Sequence, residues 1–395
     1  MPPAVRLSPL PSPGPARPAD AVPPDALRRI LIIAPQLLGD AVLSSVLITA
    51  LKDLQCDCRI DVLVHAPLAD VFRHHPGVAE VFLVDPAWRQ KGLWATIRPR
   101  QALIRRLRAR GYDLLIQSPH TTDGSWGPAL IALLPIPYAV GAAATVHGSP
   151  LKRVLWRRLF SHTLPAPGPY QAPRHVAELH LDLLRRIGLK PRAAGRAAHL
   201  EPGPGARDAI AAWLAARGLA PGRFVLFAPT AGQAGRTLPV ALCRAFLDHC
   251  EHTGWAVAVT SGPGARERAF VEALCAGRGP LTHALAGTLT IAELAALTAA
   301  ARVFIGSDSG PLHVAAAMGV PVLACFGPGA ERRFGPWQVR YRLLTSGHSC
   351  RPCELDGCGQ SGRADCLEAL APDDLITAFH ALGGDDPAAT PAPGA

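Results

Sequence analysis

Short apolar runs alternate with helix-like segments through most of the chain. Continuous runs occur at 30–34 (ILIIA), 225–228 (VLFA) and 320–327 (VPVLACFG), and the segments between such runs carry apolar residues at helical spacing. Continuous runs are typical of strands that are buried on both faces, as in parallel sheets covered by helices. The pattern therefore predicts an α/β fold built from doubly wound parallel sheets.

The strand–helix alternation occurs twice, which predicts two domains. It ends after HVAELHLDLLRRIGL and restarts at ARDAIAAWLAARGL, so we place the domains at residues 27–200 and 206–382. A chain of 395 residues is also longer than one hydrophobic core usually supports. Residues 1–26 hold nine prolines and residues 383–395 lack apolar spacing, so both ends are predicted to be disordered tails.

The stretch 303–329 predicts a strand–turn–helix–strand unit. Pro311 suits a first helical position, and Gly310 leaves room for close approach of a diphosphate. The free N–H groups and dipole at this helix start favour an anion, to which His313 can donate. Asp308 would repel phosphate, so we expect it to contact sugar hydroxyls or helix N–H groups. A capped helix without a ligand is the alternative interpretation.

A second candidate follows the first predicted strand. Gly39 permits a turn, and Asp40 stands at the start of the next helix, facing the carboxyl edge of the sheet. Because ligands of such sheets bind at that edge, Asp40 would face a ligand bound there. Aspartate is also a favoured N-cap residue, and this structural role is the alternative.

Composition and charge narrow the classes of protein. The chain is 49% hydrophobic and 18% charged with a formal net charge of +10, nearly all from arginine, which favours anionic partners. Nucleic-acid binding is not indicated, because the sequence has no basic helix with interleaved aromatic residues. Prolines and a glycine interrupt the uncharged stretch 127–146, and no signal peptide is evident, so we predict a cytoplasmic protein. The basic amphipathic stretch 151–160 leaves a peripheral membrane contact open.

Four of the ten cysteines lie close together near the end of the chain. A cytoplasmic location argues against a disulfide framework. Four thiols at the spacing C-x₂-C-x₄-C-x₇-C can bind Zn²⁺ or an iron–sulfur cluster, whereas free thiols or a disulfide are the alternatives. The candidate structural metal ligands are Cys350, Cys353, Cys358 and Cys366.

Several motifs together resemble glycosyltransferase family 9. They are LIIAPQLLGDAVLSSVLITAL, GRTLP, the stretch from LAGTLTIAEL to LACFGP, and CRPCELDGCGQSGRADCLEAL, in this order. The resemblance runs from about Arg28 to about Leu382. It implies a GT-B architecture of two facing Rossmann-like domains with a cleft between them. It also implies inverting transfer of heptose from ADP-heptose to a hydroxyl of the lipopolysaccharide inner core.

The resemblance also implies roles for individual residues. Asp40 matches the catalytic base beside Gly39 of the acceptor-side loop, and Arg236 matches a lysine that neutralises the diphosphate. Thr230 is a predicted phosphate donor, and Glu267 lies where an acidic residue can hold the ribose. The residues matching the turn that holds diphosphate and sugar are Asp308, Ser309, Gly310, Pro311 and His313.

No Asp-x-Asp motif for Mg²⁺ follows a predicted strand, so we predict catalysis without a metal or cofactor. The predicted partners are a nucleotide-sugar donor and a lipid-linked oligosaccharide acceptor, with peripheral contact at the cytoplasmic face of the inner membrane. The sequence departs from the family at Ala34 and Val46, which leaves the acceptor open. Another donor or acceptor, an epimerase and a non-catalytic sugar-nucleotide-binding protein are the competing hypotheses.

Overall fold

The chain forms two parallel sheets covered by helices. The computed structural model describes residues 21–23, 27–54, 57–119, 130, 132–142, 159–164 and 174–384. Both sheets have six strands, and every pair of neighbouring strands is parallel. The predicted α/β fold class is therefore confirmed.

The first sheet contains the strands of the N-terminal half in the order β3-β2-β1-β4-β5-β6. Its strands are β1 (Arg29–Ile33), β2 (Arg59–His65), β3 (Glu80–Val84), β4 (Leu114–Gln117), β5 (Tyr138–Ala142) and β6 (His162–Leu164). Its described helices are α1 (Leu38–Ser44), α2 (Val46–Asp53), α3 (Asp70–Arg73), α4 (Gly92–Arg108) and α5 (Val176–Arg186). The strand order reverses between β1 and β4, where a doubly wound sheet opens a crevice.

The second sheet repeats this topology in the order β12-β11-β10-β7-β8-β9. Its strands are β7 (Phe224–Ala228), β8 (Ala256–Ser261), β9 (Thr282–Ala286), β10 (Val303–Ser307), β11 (Val322–Phe326) and β12 (Tyr341–Thr345). The helices are α6 (Pro204–Ala215), α7 (Val240–Thr253), α8 (Ala265–Cys275), α9 (Ile291–Ala300), α10 (Gly310–Ala317), α11 (Glu331–Phe334), α12 (Asp365–Glu368) and α13 (Pro372–His380). The order reverses between β7 and β10, which places the second crevice there.

Helices α1 and α10 bring the two crevices together. A Cβ atom at Gly39 of α1 would overlap the ring of His313 in α10, and one at Gly310 would lie 2.8 Å from the side chain of Leu38. The missing side chains of these two glycines let the backbones approach closely. The ends of β1 and β10 therefore face one cleft between the two halves.

The helix after β1 begins earlier than predicted and is not continuous. It begins at Leu38, so Asp40 lies inside its first turn and does not cap it. It is also interrupted between α1 and α2 at Ser45, whose hydroxyl donates to the Val42 carbonyl at 2.6 Å. Such back-bonding by serine competes with the regular helical ladder and bends helices.

Three strands were not predicted from the sequence. Strands β6, β9 and β12 lack a continuous apolar run in the sequence.

Both predicted tails extend a few residues too far into the ordered chain. Val22 is buried and its N–H donates to the Ile187 carbonyl at 2.9 Å, while the Gly384 carbonyl accepts a hydrogen bond from Trp255 Nε1 at 3.1 Å. Apolar burial and hydrogen bonding thus order short parts of both predicted tails, and the rest lies outside the described residues.

The predicted membrane-related stretches are described only in part. Residues 151–158 and parts of 127–146 lie outside the described residues. Among the helices that the structure does describe, none combines the length and the apolar content that a bilayer crossing requires. The domain limits 27–200 and 206–382 stay predictions.

Candidate active site

A cleft of about 180 Å³ opens at the carboxyl edge of the second sheet. The first turn of α10, the loop after β7 and the start of α8 form its walls, and Leu38 from the other half of the molecule closes one side. The predicted donor residues on its wall are Thr230, Glu267, Ser309, Gly310 and Pro311. Five predicted positions, separated by up to 81 residues in sequence, therefore share one cavity.

The first turn of α10 supplies an anion-binding end to this cleft. Ser309 precedes the helix in an extended conformation, and its hydroxyl donates to the Ser307 carbonyl without capping the helix. Pro311 fixes the first turn. The free N–H groups and the positive end of the helix dipole are therefore available to a phosphate.

Asp308 makes an ion pair that the sequence did not suggest. Its Oδ2 lies 2.9 Å from Arg236 Nη1, and the carboxylate is only 5% exposed. Burial raises the pKa of Asp308 to about 6, and Arg236 counteracts that rise. The expected partners were sugar hydroxyls or helix N–H groups, but a buried carboxylate is stabilised most strongly by a nearby cation.

Arg236 has further capacity for an anion. It ends a short 3₁₀ turn, Ala234–Arg236, in the loop after β7. Its Nε–H is buried and makes no hydrogen bond to any residue that the structure describes. A buried donor without a partner is costly, and an incoming diphosphate oxygen would satisfy it.

Asp308 and Arg236 do not themselves line the cleft, and neither does the second buried carboxylate, Asp40, which follows the lining residue Leu38 in α1. Asp40 has no direct partner among the described residues. The side chain is 8% exposed, and no hydrogen bond or ion pair joins it to any described residue. Burial raises the pKa of Asp40 to about 6, with Arg333 and Arg236 lowering it and Asp308 raising it. A carboxylate with its lone pairs free and its pKa raised is suited to accept a proton.

His313 lies behind the cleft wall. It is buried against Gly39, and burial lowers its pKa to about 3, so the imidazole is neutral at physiological pH. Its Nδ1 has no hydrogen-bond partner among the described residues. His313 does not line the cleft, so its contact with phosphate stays a prediction.

Glu267 and Thr230 both line the cleft. Glu267 lies in the first turn of α8. A Cβ atom added at Gly262 or Gly264 would lie within 3.0 Å of a Glu267 carboxylate oxygen. The Thr230 carbonyl accepts a hydrogen bond from Ser307 Oγ at 3.2 Å, which ties the loop after β7 to the end of β10. The glycines therefore leave room for the Glu267 carboxylate at the cleft rim.

Sequence reasoning missed Arg333 as a site residue. It lies in α11, after β11, and its Nη1 forms an ion pair with Glu354 at 3.0 Å. Among the charged groups, it has the largest effect on the pKa of Asp40. In the sequence, Arg333 and the adjacent Arg332 form an unremarkable charged pair, so nothing there distinguishes Arg333.

The four cysteines of the predicted metal site lie in one segment but do not form a ligand cluster. Cys350 and Cys358 are exposed, whereas Cys366 is buried, and all four thiols are free. Burial and the other three cysteines raise the pKa of the Cys366 thiol. Within the described ranges, no three His, Cys, Asp or Glu side chains are placed to hold a metal ion.

Two facing Rossmann-like domains with a cleft between them are the architecture of the GT-B class of glycosyltransferases. A sequence profile described as glycosyltransferase family 9 (heptosyltransferase) matches residues 100–361, which is more than half of the chain. The chain belongs to glycosyltransferase family 9. The predicted family and the predicted enzyme class are confirmed.

Relatives and solved structures agree with this assignment. Lipopolysaccharide heptosyltransferase 3 of Escherichia coli is 29% identical over 300 residues, or 76% of this chain and 83% of the relative. A family 9 glycosyltransferase of Veillonella parvula superposes with a TM-score of 0.72 at 19% identity, covering 90% of this chain and 97% of that chain. E. coli ADP-heptose lipopolysaccharide heptosyltransferase II gives 0.69 at 20% identity, covering 90% and 98%. The two structures confirm the GT-B fold.

Proposed function

We propose that this enzyme transfers heptose from ADP-heptose to a hydroxyl of the lipopolysaccharide inner core. The observation that carries the proposal is the free, buried Asp40 carboxylate beside the anion-binding end of α10 and Arg236. The names of the E. coli relatives, lipopolysaccharide heptosyltransferase 3 and ADP-heptose heptosyltransferase II, support the same donor and acceptor.

The proposed reaction is a single displacement. Asp40 accepts the proton of the acceptor hydroxyl while its oxygen attacks the anomeric carbon. The bond from that carbon to the diphosphate oxygen breaks, and its electron pair leaves with the diphosphate. Attack from the face opposite the leaving group inverts the anomeric carbon, so one base is sufficient.

The developing charge on the diphosphate needs stabilisation, which we assign to the second domain. The N–H groups of α10, the guanidinium of Arg236 and the hydroxyl of Thr230 are the proposed donors, with His313 as a further one. We propose Glu267 as the ligand of the nucleotide ribose, because its carboxylate lies at the cleft rim. No step requires a metal ion.

Calorimetric titration with ADP, UDP and GDP, without added metal, tests the donor. Selective binding of ADP, weakened about 100-fold in Arg236→Ala, is the expected result, because a charged hydrogen bond to phosphate contributes about 1.5–3 kcal/mol. A preference for UDP or GDP would retain the fold and mechanism but exclude ADP-heptose. Absence of binding to all three would contradict the donor assignment and favour a non-catalytic protein.

We further propose peripheral contact with the cytoplasmic face of the inner membrane, because the proposed acceptor is lipid-borne. Co-sedimentation with anionic vesicles at low and high salt tests it. Salt-sensitive binding is expected for a chain with a formal net charge of +10. Equal recovery in the supernatant at both salt concentrations would contradict it.

A structural Zn²⁺ or iron–sulfur cluster at the four cysteines stays a separate prediction. In the structure, the four thiols are not placed as a ligand cluster. Metal analysis of protein purified under reducing conditions decides the question. One zinc per chain, or iron with sulfide, would support the prediction, and metal-free protein would contradict it.

A further inference from the structure

The segment of residues 350–366, here named the four-cysteine segment, is fixed to the loop after β11. Arg333 Nη1 pairs with Glu354 at 3.0 Å, and Arg351 Nη2 lies 3.4 Å from Glu331. The N–H of Glu354 also donates to the Pro328 carbonyl at 2.8 Å. Two ion pairs and a backbone hydrogen bond therefore hold the segment against the donor side of the cleft.

The same segment touches the turn that carries Arg236. The N–H of Gly235 donates to Asp356 Oδ1 at 2.6 Å, although the two residues are 121 positions apart. A Cβ atom at Gly235 would overlap the backbone of Gly357. Gly357 has a φ of +80°, and a Cβ atom there would overlap the backbone of Arg363. The two backbones meet with no room for a side chain at either glycine.

Internal hydrogen bonds hold the backbone that carries Asp356. The Asp356 carbonyl accepts from the Gly362 N–H at 2.9 Å, and the Cys358 N–H donates to the Arg363 carbonyl at 2.7 Å. Asp356 itself does not line the cleft. Its carboxylate therefore acts on the turn Ala234–Arg236, and any effect on a ligand has to pass through that turn.

We propose that Asp356 is a positioning residue for the donor site, because it holds the turn Ala234–Arg236 so that the Arg236 guanidinium faces Asp308 and the donor diphosphate. The proposal rests on the proposed function, since that function makes Arg236 the diphosphate ligand. Paired N–H donors of a guanidinium require an accurate position, and a displacement of about 1 Å at the turn removes much of their benefit. The fixed Asp356–Gly235 bond limits such displacement.

Three variants of the full chain test this role. Asp356→Ala removes the acceptor for the Gly235 N–H, and Asp356→Asn keeps an oxygen acceptor of nearly the same shape. Glu368→Ala is the matched control, because it breaks an exposed ion pair with Arg363 at the outer edge of the same segment. Two readouts are measured: calorimetric affinity for ADP, and the pKa of the Asp308 carboxyl group by ¹³C NMR without ligand.

We expect Asp356→Ala to weaken ADP binding about tenfold, as for loss of one well-placed charged hydrogen bond. Its Asp308 pKa should rise, because Arg236 lowers that pKa in the native protein. Asp356→Asn and Glu368→Ala should stay within about twofold of native affinity and keep the native pKa. A general loss of folding would instead lower the melting temperature of Asp356→Ala without selective change at Asp308.

The two readouts separate failure of this proposal from failure of the proposed function. If the native protein binds ADP but Asp356→Ala changes neither affinity nor the Asp308 pKa, the positioning role is wrong and the donor assignment stands. If no nucleotide binds to the native protein but the Asp308 pKa rises in Asp356→Ala only, the proposed donor is wrong and the positioning of Arg236 stands.

Discussion

Two buried aspartates, one from each half of the molecule, are similarly buried but differ in their direct partners. Asp40 is 8% exposed and Asp308 is 5% exposed, and burial raises the pKa of each to about 6. Asp308 has the Arg236 guanidinium at 2.9 Å, whereas Asp40 has no hydrogen bond or ion pair among the described residues. Burial alone therefore does not distinguish the proposed base from a carboxylate held in an ion pair; the direct partner does.

The difference follows from where each residue lies in its sheet. Asp40 follows β1, the first strand of its half, and Asp308 follows β10, the fourth strand of the other half. The loop after β7, which carries Arg236, lies beside the end of β10 because β7 and β10 are neighbours. This adjacency gives Asp308 a cation, while Asp40 lies in α1 of the other half, where no described residue pairs with it.

The largest expected difference between the two aspartates is in turnover. Asp40→Asn should lower kcat about 1,000-fold, because it removes the proposed general base, and leave ADP affinity within about twofold of native. Asp308→Asn should weaken ADP binding, because it releases Arg236 from its partner. Sugar transfer to truncated lipopolysaccharide and ADP calorimetry measure the two effects. Unaltered turnover in Asp40→Asn would remove Asp40 from the mechanism.

The second difference is in stability. Because the folded pKa of Asp40 is about 6 against 3.8 for the free group, its ionisation opposes folding fully above pH 6 and not at all below about pH 4. Asp40→Asn should therefore raise the free energy of unfolding by about 2 kcal/mol at pH 7.5, with no gain at pH 4. Asp308→Asn should give a smaller gain or none at pH 7.5, because removing its ionisation is offset by leaving Arg236 unpaired.

Urea unfolding at the two pH values measures these changes. Glu368→Ala, which breaks an exposed ion pair, is the control and should change the free energy of unfolding by less than about 1 kcal/mol. A gain in Asp40→Asn that is equal at pH 7.5 and pH 4 would show that ionisation of Asp40 is not its cause.

The third difference is in the pH dependence of turnover. The base must be ionised, so kcat should fall about tenfold per pH unit below the pKa of Asp40, at about 6. The charges around it shift this midpoint in opposite directions. Arg333→Ala should raise it because Arg333 lowers the pKa of Asp40, and Asp308→Asn should lower it because Asp308 raises that pKa. A pH profile of each variant measures the midpoints, and unmoved midpoints would contradict these electrostatic assignments.

The smallest expected effect concerns metal. Treatment with EDTA should leave the rate within about 20% of native, since the proposed charge stabilisation comes from Arg236, Thr230 and the start of α10. The control is the same sample with Mg²⁺ added back. A rate that is lost with EDTA and restored by Mg²⁺ would require a metal at the diphosphate.

The sequence predicted the fold class and much of the cleft because both depend on local patterns. The buried runs at β1, β7, β10 and β11 are continuous and apolar, and Gly310 and Pro311 mark the start of α10. Strand β12 is exposed along most of its length, so it has no apolar run to identify it. Edge strands of this kind are decided by pairing with their neighbour, here β11.

By itself, the sequence determined the repeated α/β pattern, the glycine-rich turn at 306–310, and Asp40 as a candidate carboxylate. Three features appear only in the tertiary structure. Asp308 pairs with Arg236, His313 is buried and does not line the cleft, and Arg333 lowers the pKa of Asp40. Strand and helix signals arise from neighbouring residues along the chain. Ion pairs and pKa values depend instead on groups that are far apart in sequence, and their distances are set by strand pairing within a sheet and by the packing of α1 on α10.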